Sequence, residues 1–359
     1  MRKKLIDISW ESFKSLPLPD KAPYLNQDGV PYHTLFAQQF DRTLLERLGT
    51  LANSIRVIAK TRSGMDFLRQ LICHKRAMLY FSQPSSRTFL SFYSACQILG
   101  MPTGEVRDTS TSSEFKGESC EDSVRTFSSY FDVIIMRSPE KGLAEHMAWV
   151  LSNSERPVPV VNAGSGQDQH PTQALLDIYT LQRSFERSGG LRDRTIVMVG
   201  DLARGRTVRS LSQLLANFPN IHQVFVAPPV FQIGQDIQDI LRAKGVSFEL
   251  SGDLQAAIPQ ADAVYMTRIQ DEWDDDTHAS RQVDLASFKF GMRELALLKP
   301  HAAIMHPLPR RDEIAVEVDR DPRAVYWRQM RNGMWIRAAL IALTFGCEGR
   351  VLDFHRSNS

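Results

Sequence analysis

The stretch Phe81-Ser82-Gln83-Pro84-Ser85-Ser86-Arg87-Thr88 follows the apolar run Ala77-Met78-Leu79-Tyr80. It precedes a segment in which Phe89, Phe92, Cys96 and Leu99 share one helical face, with Gly100 as the stop signal. The order is strand, tight turn, helix. Ser85 and Ser86 are good helix N-caps, so hydroxyls, first-turn amides and the Arg87 guanidinium converge where the helix dipole is positive. Such a place favours an anion, because those amides lack intrahelical acceptors and arginine adds a two-pronged charged donor.

At 359 residues the chain exceeds the usual size of a single core, which predicts two domains. Lys and Arg total 43 against 41 Asp and Glu, so the net charge of +2 gives no global pull toward nucleic acid or membrane. Any anion specificity must then be local. Cys73, Cys96, Cys120 and Cys347 form no C-x-x-C pair and are expected to be reduced thiols of a cytoplasmic protein, with neither a disulfide framework nor a zinc site. After Met-Arg-Lys-Lys, the residues Asp7, Glu11, Lys14 and Asp20 interrupt any apolar leader. The most apolar run, Met334 to Phe345, is cut by Arg337 and is too short to span a bilayer.

Residues 1–33 carry Pro17, Pro19, Pro23, Asn26, Gly29 and Pro31 and are expected to form an irregular arm. Residues 34–183 then read as a first α/β domain. Helices are expected near 43–60, 63–71, 87–99 and 121–130, with strands at 77–81 and Val133–Met136. Val158–Val161 predicts a further strand, pushed to a sheet edge by Pro159. Asn162-Ala163-Gly164-Ser165-Gly166 is too glycine-rich to be expected in regular structure, and His170-Pro171-Thr172-Gln173 opens a helix with proline in its first turn.

The Gly189-Gly190 break between Arg183 and Arg194 marks the start of a second domain, residues 184–332. Strands at 195–199, 224–227, 246–250, 263–266 and 302–305 alternate there with helices at 206–218, 234–243, 253–259 and near 292–298. The chain as a whole is therefore expected to form two doubly wound parallel-sheet α/β domains joined by interdomain helices, with ligands at the carboxyl ends of the strands. Those ends carry Gly200-Asp201 through Arg206, Thr267-Arg268-Ile269-Gln270 and His306-Pro307-Leu308-Pro309-Arg310. A C-terminal helix at 333–347, apolar nearly all round, is expected to cross back and pack on the first domain. Gly200 to Thr207 almost spells the nucleotide-binding G-x-x-x-x-G-K-[ST], but Arg206 replaces the lysine. Its planar fork suits a carboxylate held side-on, so a nucleotide site is not expected.

Seven short motifs in order, from about residue 36 to 350, resemble the aspartate carbamoyltransferase family of the aspartate/ornithine carbamoyltransferase superfamily. They are Ser85-Ser86-Arg87-Thr88, Ser112 to Ser119, Met136-Arg137-Ser138-Pro139, His170-Pro171-Thr172-Gln173, Gly205-Arg206-Thr207-Val208, Thr267-Arg268-Ile269-Gln270 and His306-Pro307-Leu308-Pro309-Arg310. The resemblance implies a catalytic chain that moves the carbamoyl group of carbamoyl phosphate to the α-amine of L-aspartate, a committed step toward pyrimidines, with no cofactor and no catalytic metal. The ornithine branch usually has His-Cys-Leu-Pro where this chain has His306-Pro307-Leu308-Pro309. A carbamoyltransferase for another amino acid and a non-catalytic scaffold paralogue are the alternatives.

Carried over residue by residue, the resemblance assigns carbamoyl phosphate to Ser85, Ser86, Arg87, Thr88 and Arg137. Arg137, Thr88 and His170 become the donors to the carbonyl oxygen as charge grows on it. Gln173 and the backbone carbonyls of Pro307 or Leu308 orient the carbamoyl amide and the incoming amine, and the aspartate site includes Leu308 and Pro309. Arg206 and Arg268 match the two carboxylates of aspartate, with Gln270 assisting. His306 is expected to be structural, and a cis bond is implied at Leu308–Pro309. The family's architecture also implies a homotrimer with shared active sites, in which Ser112 and Lys116 reach a neighbour's site, Lys116 contacts both substrates and Glu118 pairs with the neighbour's Arg87. A larger assembly with regulatory or other pyrimidine-pathway chains stays open. Gln83, Phe89, Ser165 and Trp273 depart from the family's usual Glu, Arg, Asp and Arg. Loss of the charges at 83 and 273, which in family members pair with the arginine matched by Arg206, removes the basis for the usual closure switch while leaving the substrate contacts.

Overall fold

A computed structural model of the protein describes residues 4–107, 117–166, 169–269 and 286–358. The chain divides into one unit of Met1–Thr172 with Gly333–Ser359 and a second of Gln173–Asn332.

In the first unit, residues expected to be irregular instead form helices Trp10–Ser15 (α1) and Leu18–Leu25 (α2) and a two-stranded hairpin, Asn26–Gln27 (β1) with Val30–Pro31 (β2). Two of the prolines fall where a helix tolerates them, Pro17 as the N-cap of α2 and Pro19 in its first turn, while Pro23 lies inside the helix. Ser9 caps α1, accepting from the Ser12 amide at 3.3 Å. There follow α3 (Arg42–Ile58), α4 (Arg62–Arg69), β3 (Ala77–Phe81), α5 (Ser86–Ile98), β4 (Thr103–Val106), α6 (Cys120–Tyr130), β5 (Val133–Ser138), α7 (Leu143–Ser152) and β6 (Val160–Ser165). Leu5, Phe13 and Leu25 of the N-terminal segment share a buried cluster with Ala144, Met147 and Leu151 of α7, and Trp149 donates its indole N–H to the Ile8 carbonyl at 2.9 Å. The arm is thus part of the core.

The strands form a parallel sheet in the order β4-β3-β5-β6. Every residue of β3 and β5 is buried, as a sheet covered on both faces requires. β6 lies at an edge, in keeping with Pro159 before it, but it continues through Asn162-Ala163-Gly164-Ser165, where a loop was expected. A register shift between Met136 and Ser138 accommodates this continuation. Residues 333–359 complete the unit with the end of the helix Tyr326–Thr344 and a further helix, Glu348–Ser357, whose Phe354 stacks on Phe67 at 4.0 Å. Ile336, Ala339, Leu340 and Leu343 are buried, as the apolar C-terminal helix demanded.

The second unit holds nearly all of α8 (Pro171–Phe185), then β7 (Arg194–Val199), α9 (Arg206–Leu215), β8 (Ile221–Val226), α10 (Gln235–Ala243), β9 (Phe248–Ser251), α11 (Leu254–Ala257), β10 (Ala263–Met266), the helix Met292–Leu297 and β11 (Ala303–Met305). Its five strands are parallel in the order β11-β10-β7-β8-β9. In each sheet the strand order reverses once, between β3 and β5 and between β7 and β10. These are the switch points where crevices open at the strand carboxyl ends. No helix among the described residues is long and apolar enough to cross a membrane.

Candidate active site

At the β3/β5 switch point, Phe81 pairs with Arg137. The Arg137 carbonyl accepts from the Ser82 hydroxyl at 3.2 Å and from the Gln83 amide at 3.3 Å, so the turn into α5 lies beside Arg137. Ser85 takes the N-cap position, but its hydroxyl makes no capping bond, and Ser86 begins the helix. Ser86 and Arg87 are exposed while Thr88 is buried. The Arg137 side chain is also buried and donates from Nη1 to the Ala163 carbonyl at 3.3 Å.

Gly164 allows His170, likewise buried, to share this space. Its φ is +122°, and a Cβ there would stand 2.7 Å from Arg137 Nη1 and 3.4 Å from His170 Cδ2. Asn162 pins the glycine: its Oδ1 accepts from the Gly164 amide at 2.8 Å and its Nδ2 donates to the Leu35 carbonyl at 3.0 Å. A guanidinium and an imidazole are therefore packed together at a strand end beside a helix N-terminus. A cation taken this far out of water is costly to hold there and gains most from an anionic ligand.

In the second unit, β7 and β10 leave their switch point in close contact. The Thr267 amide and hydroxyl both donate to the Val199 carbonyl, at 2.8 and 2.9 Å. Gly200, with φ +118°, permits this approach, since a Cβ would lie 2.3 Å from the Thr267 carbonyl oxygen. The two chains then diverge to Arg206, at the start of α9, and to Arg268, both half-buried. Asp201 holds the intervening turn by an ion pair to Arg204 Nε at 2.7 Å.

Beyond β11, His306 is fully buried. Its Nδ1 accepts from the Leu308 amide at 2.8 Å, so the ring proton resides on Nε2 and is donated to Glu313 at 2.6 Å. The His306 amide donates to Gln329 Oε1 at 2.9 Å. Leu308 has φ +54° and its bond to Pro309 is cis, as the resemblance implied. Arg310 is clamped by Asp319, which also accepts from the Tyr326 hydroxyl. Burial holds the His306 imidazole below its ordinary pKa; Glu313 pulls it up, and the charges of Arg310 and Arg268 push it down again. Arg268 is therefore within electrostatic reach of the turn. His306 is structural, as expected.

Gln173, grouped with the carbamoyl phosphate residues from the sequence, falls in the second unit. Its Nε2 donates to Asp177 Oδ1 at 3.0 Å. Asp177 is wholly buried and also accepts from Gln329 at 2.6 Å and from the Tyr265 hydroxyl at 2.8 Å. Burial first, and the Asp177 charge second, hold that hydroxyl protonated well above the ordinary tyrosine range. Sequence reasoning named Gly164 and Gly200 without giving either a role in shaping the site, and it passed over Asp177, Glu313 and Gln329. Of the three passed over, Asp177 carries a local signal, as a lone carboxylate one turn after Gln173 within the apolar run Ala174 to Tyr179.

Ser112, Lys116, Gln270 and Trp273 lie outside the described residues. Glu118, expected to pair with a neighbour's Arg87, accepts from the Ser123 hydroxyl at 2.8 Å within its own chain. Phe89, where the family has Arg, packs edge-on against Phe81 at 5.4 Å with the Arg107 guanidinium 4.3 Å above its ring. The hydroxyl of Ser165, where the family has Asp, accepts from Asn162 at 3.3 Å.

Two family models match the chain: the carbamoyl-P binding domain of aspartate/ornithine carbamoyltransferase over residues 32–183, and the Asp/Orn binding domain of the same family over residues 192–344. Aspartate carbamoyltransferase 2 (chloroplastic) of Pisum sativum is 42% identical over 316 residues, covering 86% of this chain and 77% of the relative. The aspartate carbamoyltransferase catalytic subunit of Thermococcus gammatolerans is 38% identical over 309 residues, covering 86% and 96%. Among solved structures, aspartate transcarbamoylase from Trypanosoma cruzi in complex with carbamoyl phosphate and aspartate is 35% identical, with a TM-score of 0.78, 86% of this chain and 95% of that chain covered.

Proposed function

The chain belongs to the aspartate/ornithine carbamoyltransferase family, and from that premise we propose that it transfers the carbamoyl group of carbamoyl phosphate to the α-amine of L-aspartate, releasing N-carbamoyl-L-aspartate and phosphate. The observation that carries this reading is the packing of Arg137 and His170 on Gly164, beside the start of α5. In this reading residues 34–183, with residues 333–347, hold carbamoyl phosphate and residues 184–332 hold aspartate. The phosphate dianion binds Ser85, Ser86, Arg87 and Thr88 at the helix N-terminus. As the amine nitrogen attacks the carbamoyl carbon, negative charge grows on the carbonyl oxygen and is met by Arg137, Thr88 and His170, donors worth about 3–4 kcal/mol each. The carbon–oxygen bond to phosphate breaks, and the departing phosphate takes the amine's proton, so no protein base is required. Gln173 and the carbonyls of Pro307 or Leu308 orient the carbamoyl amide and the amine, while Arg206 and Arg268, with Gln270, Leu308 and Pro309, hold aspartate.

The product is committed to pyrimidines, and a cytoplasmic setting suits the four free thiols. A screen of amino acids against carbamoyl phosphate, read by the citrulline-type colour reaction, tests the activity. Aspartate should be the acceptor; faster turnover of ornithine would move the chain to the other branch, and no turnover with any amine would favour a scaffold.

The working form in this proposal is a homotrimer, with Lys116 of one subunit acting in its neighbour's site. Phosphate and two carboxylates bring about four negative charges together where expelled water can no longer screen them, and a fifth cation beside Arg87, Arg137, Arg206 and Arg268 eases that load. Arg87→Ala and Lys116→Ala should each be nearly inactive. Refolded as an equal mixture they should recover about a quarter of wild-type activity, since about three-quarters of random trimers are mixed and each has one intact site in three. No recovery from a mixture shown to contain hybrids would reject the shared site.

A further inference from the structure

One buried oxygen fixes the polarity of two amides in the second unit. Asp177 Oδ1 accepts from Gln173 Nε2 at 3.0 Å and from Gln329 Nε2 at 2.6 Å. For Gln329 the consequence is visible, because its Oε1 is turned to accept the His306 amide that starts the 306–309 turn. Gln173 is held in the same sense, one helical turn before Asp177 on α8. Its amide gives its N–H to the carboxylate, so its carbonyl oxygen is the atom presented to other donors. Tyr265 occupies Oδ2 at 2.8 Å, and Asp177 itself is wholly buried. A buried carboxylate can only accept, so three donors converge on it and none of them can turn round without burying an unmatched polar group.

We propose that Asp177 is a positioning residue that keeps the Gln173 carbonyl oxygen directed at the N–H donors of the carbamoyl group. This rests on the carbamoyltransferase reading above and extends it. The carbamoyl group of carbamoyl phosphate ends in an NH2, a pure donor, and a glutamine turned the other way would meet it with a second NH2. Orientation of this amide is worth more in the transition state than in binding, because the carbamoyl plane has to be held as the amine approaches.

The test is steady-state kinetics of the full chain with both substrates varied, for wild type, Asp177→Asn, Gln173→Ala and the double variant. Asparagine keeps the shape but offers one acceptor to three donors, and its own NH2 competes for the Gln173 oxygen. Asp177→Asn should lower kcat about tenfold and raise the KM for carbamoyl phosphate, while its effect on the KM for aspartate, which runs through Gln329 and the 306–309 turn, should be the same in the Gln173→Ala background. In the Gln173→Ala background the same change should lower kcat by less than about twofold, since the group it acts through is gone. Losses that multiply in the double variant, or an unchanged kcat in a folded Asp177→Asn protein, overturn the proposal. If Asp177→Asn does not fold, Tyr265→Phe decides, because it removes a donor and leaves the carboxylate. A kcat within about threefold of wild type supports Asp177 as the holder of Gln173, and a loss as large as that of Gln173→Ala overturns it. Absence of turnover by the wild type with any amine overturns both this inference and the activity it rests on, whereas an active wild type with an indifferent Asp177 overturns only this one.

Discussion

Gly164, near the carboxyl end of the edge strand β6, and Gly200, directly after β7 at its sheet's switch point, are both strand-end glycines with positive φ. What each makes room for differs. A side chain on Gly164 would meet the tips of Arg137 and His170, whereas one on Gly200 would meet the backbone carbonyl of Thr267. The first glycine shapes a cradle out of functional side chains, and the second lets two strands leave the sheet together. The same residue type at a strand's carboxyl end thus serves chemistry in one unit and architecture in the other. The surroundings follow suit. Around Gly164 the arrangement rests on backbone contacts and Asn162, while the turn in the second unit is locked by carboxylates, with Glu313 on His306, Asp319 on Arg310 and Asp177 on Gln329.

The sharpest way to break this contrast is to give both positions a methyl group. Left-handed strain of about 1–3 kcal/mol applies to Gly164→Ala and Gly200→Ala alike. Beyond that shared cost, Gly164→Ala has only flexible side-chain ends to displace, so the fold should survive while Arg137 is pushed out of place. We expect kcat/KM to fall by about a hundredfold or more, the size of a lost oxyanion donor. Gly200→Ala must move backbone and should cost several kcal/mol more stability than its counterpart, measured by denaturant unfolding. Equal stability losses, or an active Gly164→Ala enzyme, would erase the distinction.

A smaller effect separates the two units by substrate. Arg268→Ala should raise the KM for aspartate about tenfold or more, as expected for a charge-assisted contact of about 1.5–3 kcal/mol, and leave the KM for carbamoyl phosphate nearly unchanged. Matching changes in both constants would make Arg268 structural and dissolve the assignment of one substrate to each unit.

Where the sequence was informative, the signal was local. β3 was expected at 77–81 and found there, and α5 begins one residue before its expected start, because an apolar run followed by Ser-Ser and a helical face needs no distant partner. Helix α7 escaped because residues apolar on nearly every side, such as Leu143, Ala144, Met147 and Leu151, show no period. β4 escaped because it is a half-exposed edge strand. The N-terminal segment looked irregular because its prolines were counted without knowing that Pro17 and Pro19 fall at a helix start and that α2 carries Pro23 in its interior. The site shows the same division. Charged motif residues were legible at strand ends, but the partners that aim them are remote in the chain: Tyr265 and Gln329 lie 88 and 152 residues from Asp177. No window of sequence shows that these groups share one oxygen.

The smallest predicted effect tests whether the carboxylate-locked turn is the pH-sensitive part of the molecule. In the fold, His306 is neutral: Nδ1 accepts the Leu308 amide and Nε2 donates to Glu313. Burial, the larger influence, keeps its pKa below the ordinary value. Burial pushes the Glu313 carboxyl up, but hydrogen bonds from His306 and from the amides of Glu313 and Arg311 hold it below the ordinary carboxylate range. An unfolded imidazole takes up a proton below about pH 6.5, whereas the folded one resists, so its contribution to stability is complete above that pH and is lost as pH falls through it. Glu313 adds a loss of the same sign at lower pH, where its own carboxyl begins to protonate. Protonating His306 in the fold would also place a proton on Nδ1 and break the bond to Leu308. The aspartate KM should accordingly stay level down to about pH 6.5 and rise only below it, where the folded imidazole begins to take up a proton. His306→Asn, whose Oδ1 can still accept the Leu308 amide, should flatten that rise whatever its own KM. An Asn variant with the wild-type pH slope would place the titrating group elsewhere, and the two units would then differ in how they hold their turns but not in how they respond to acid.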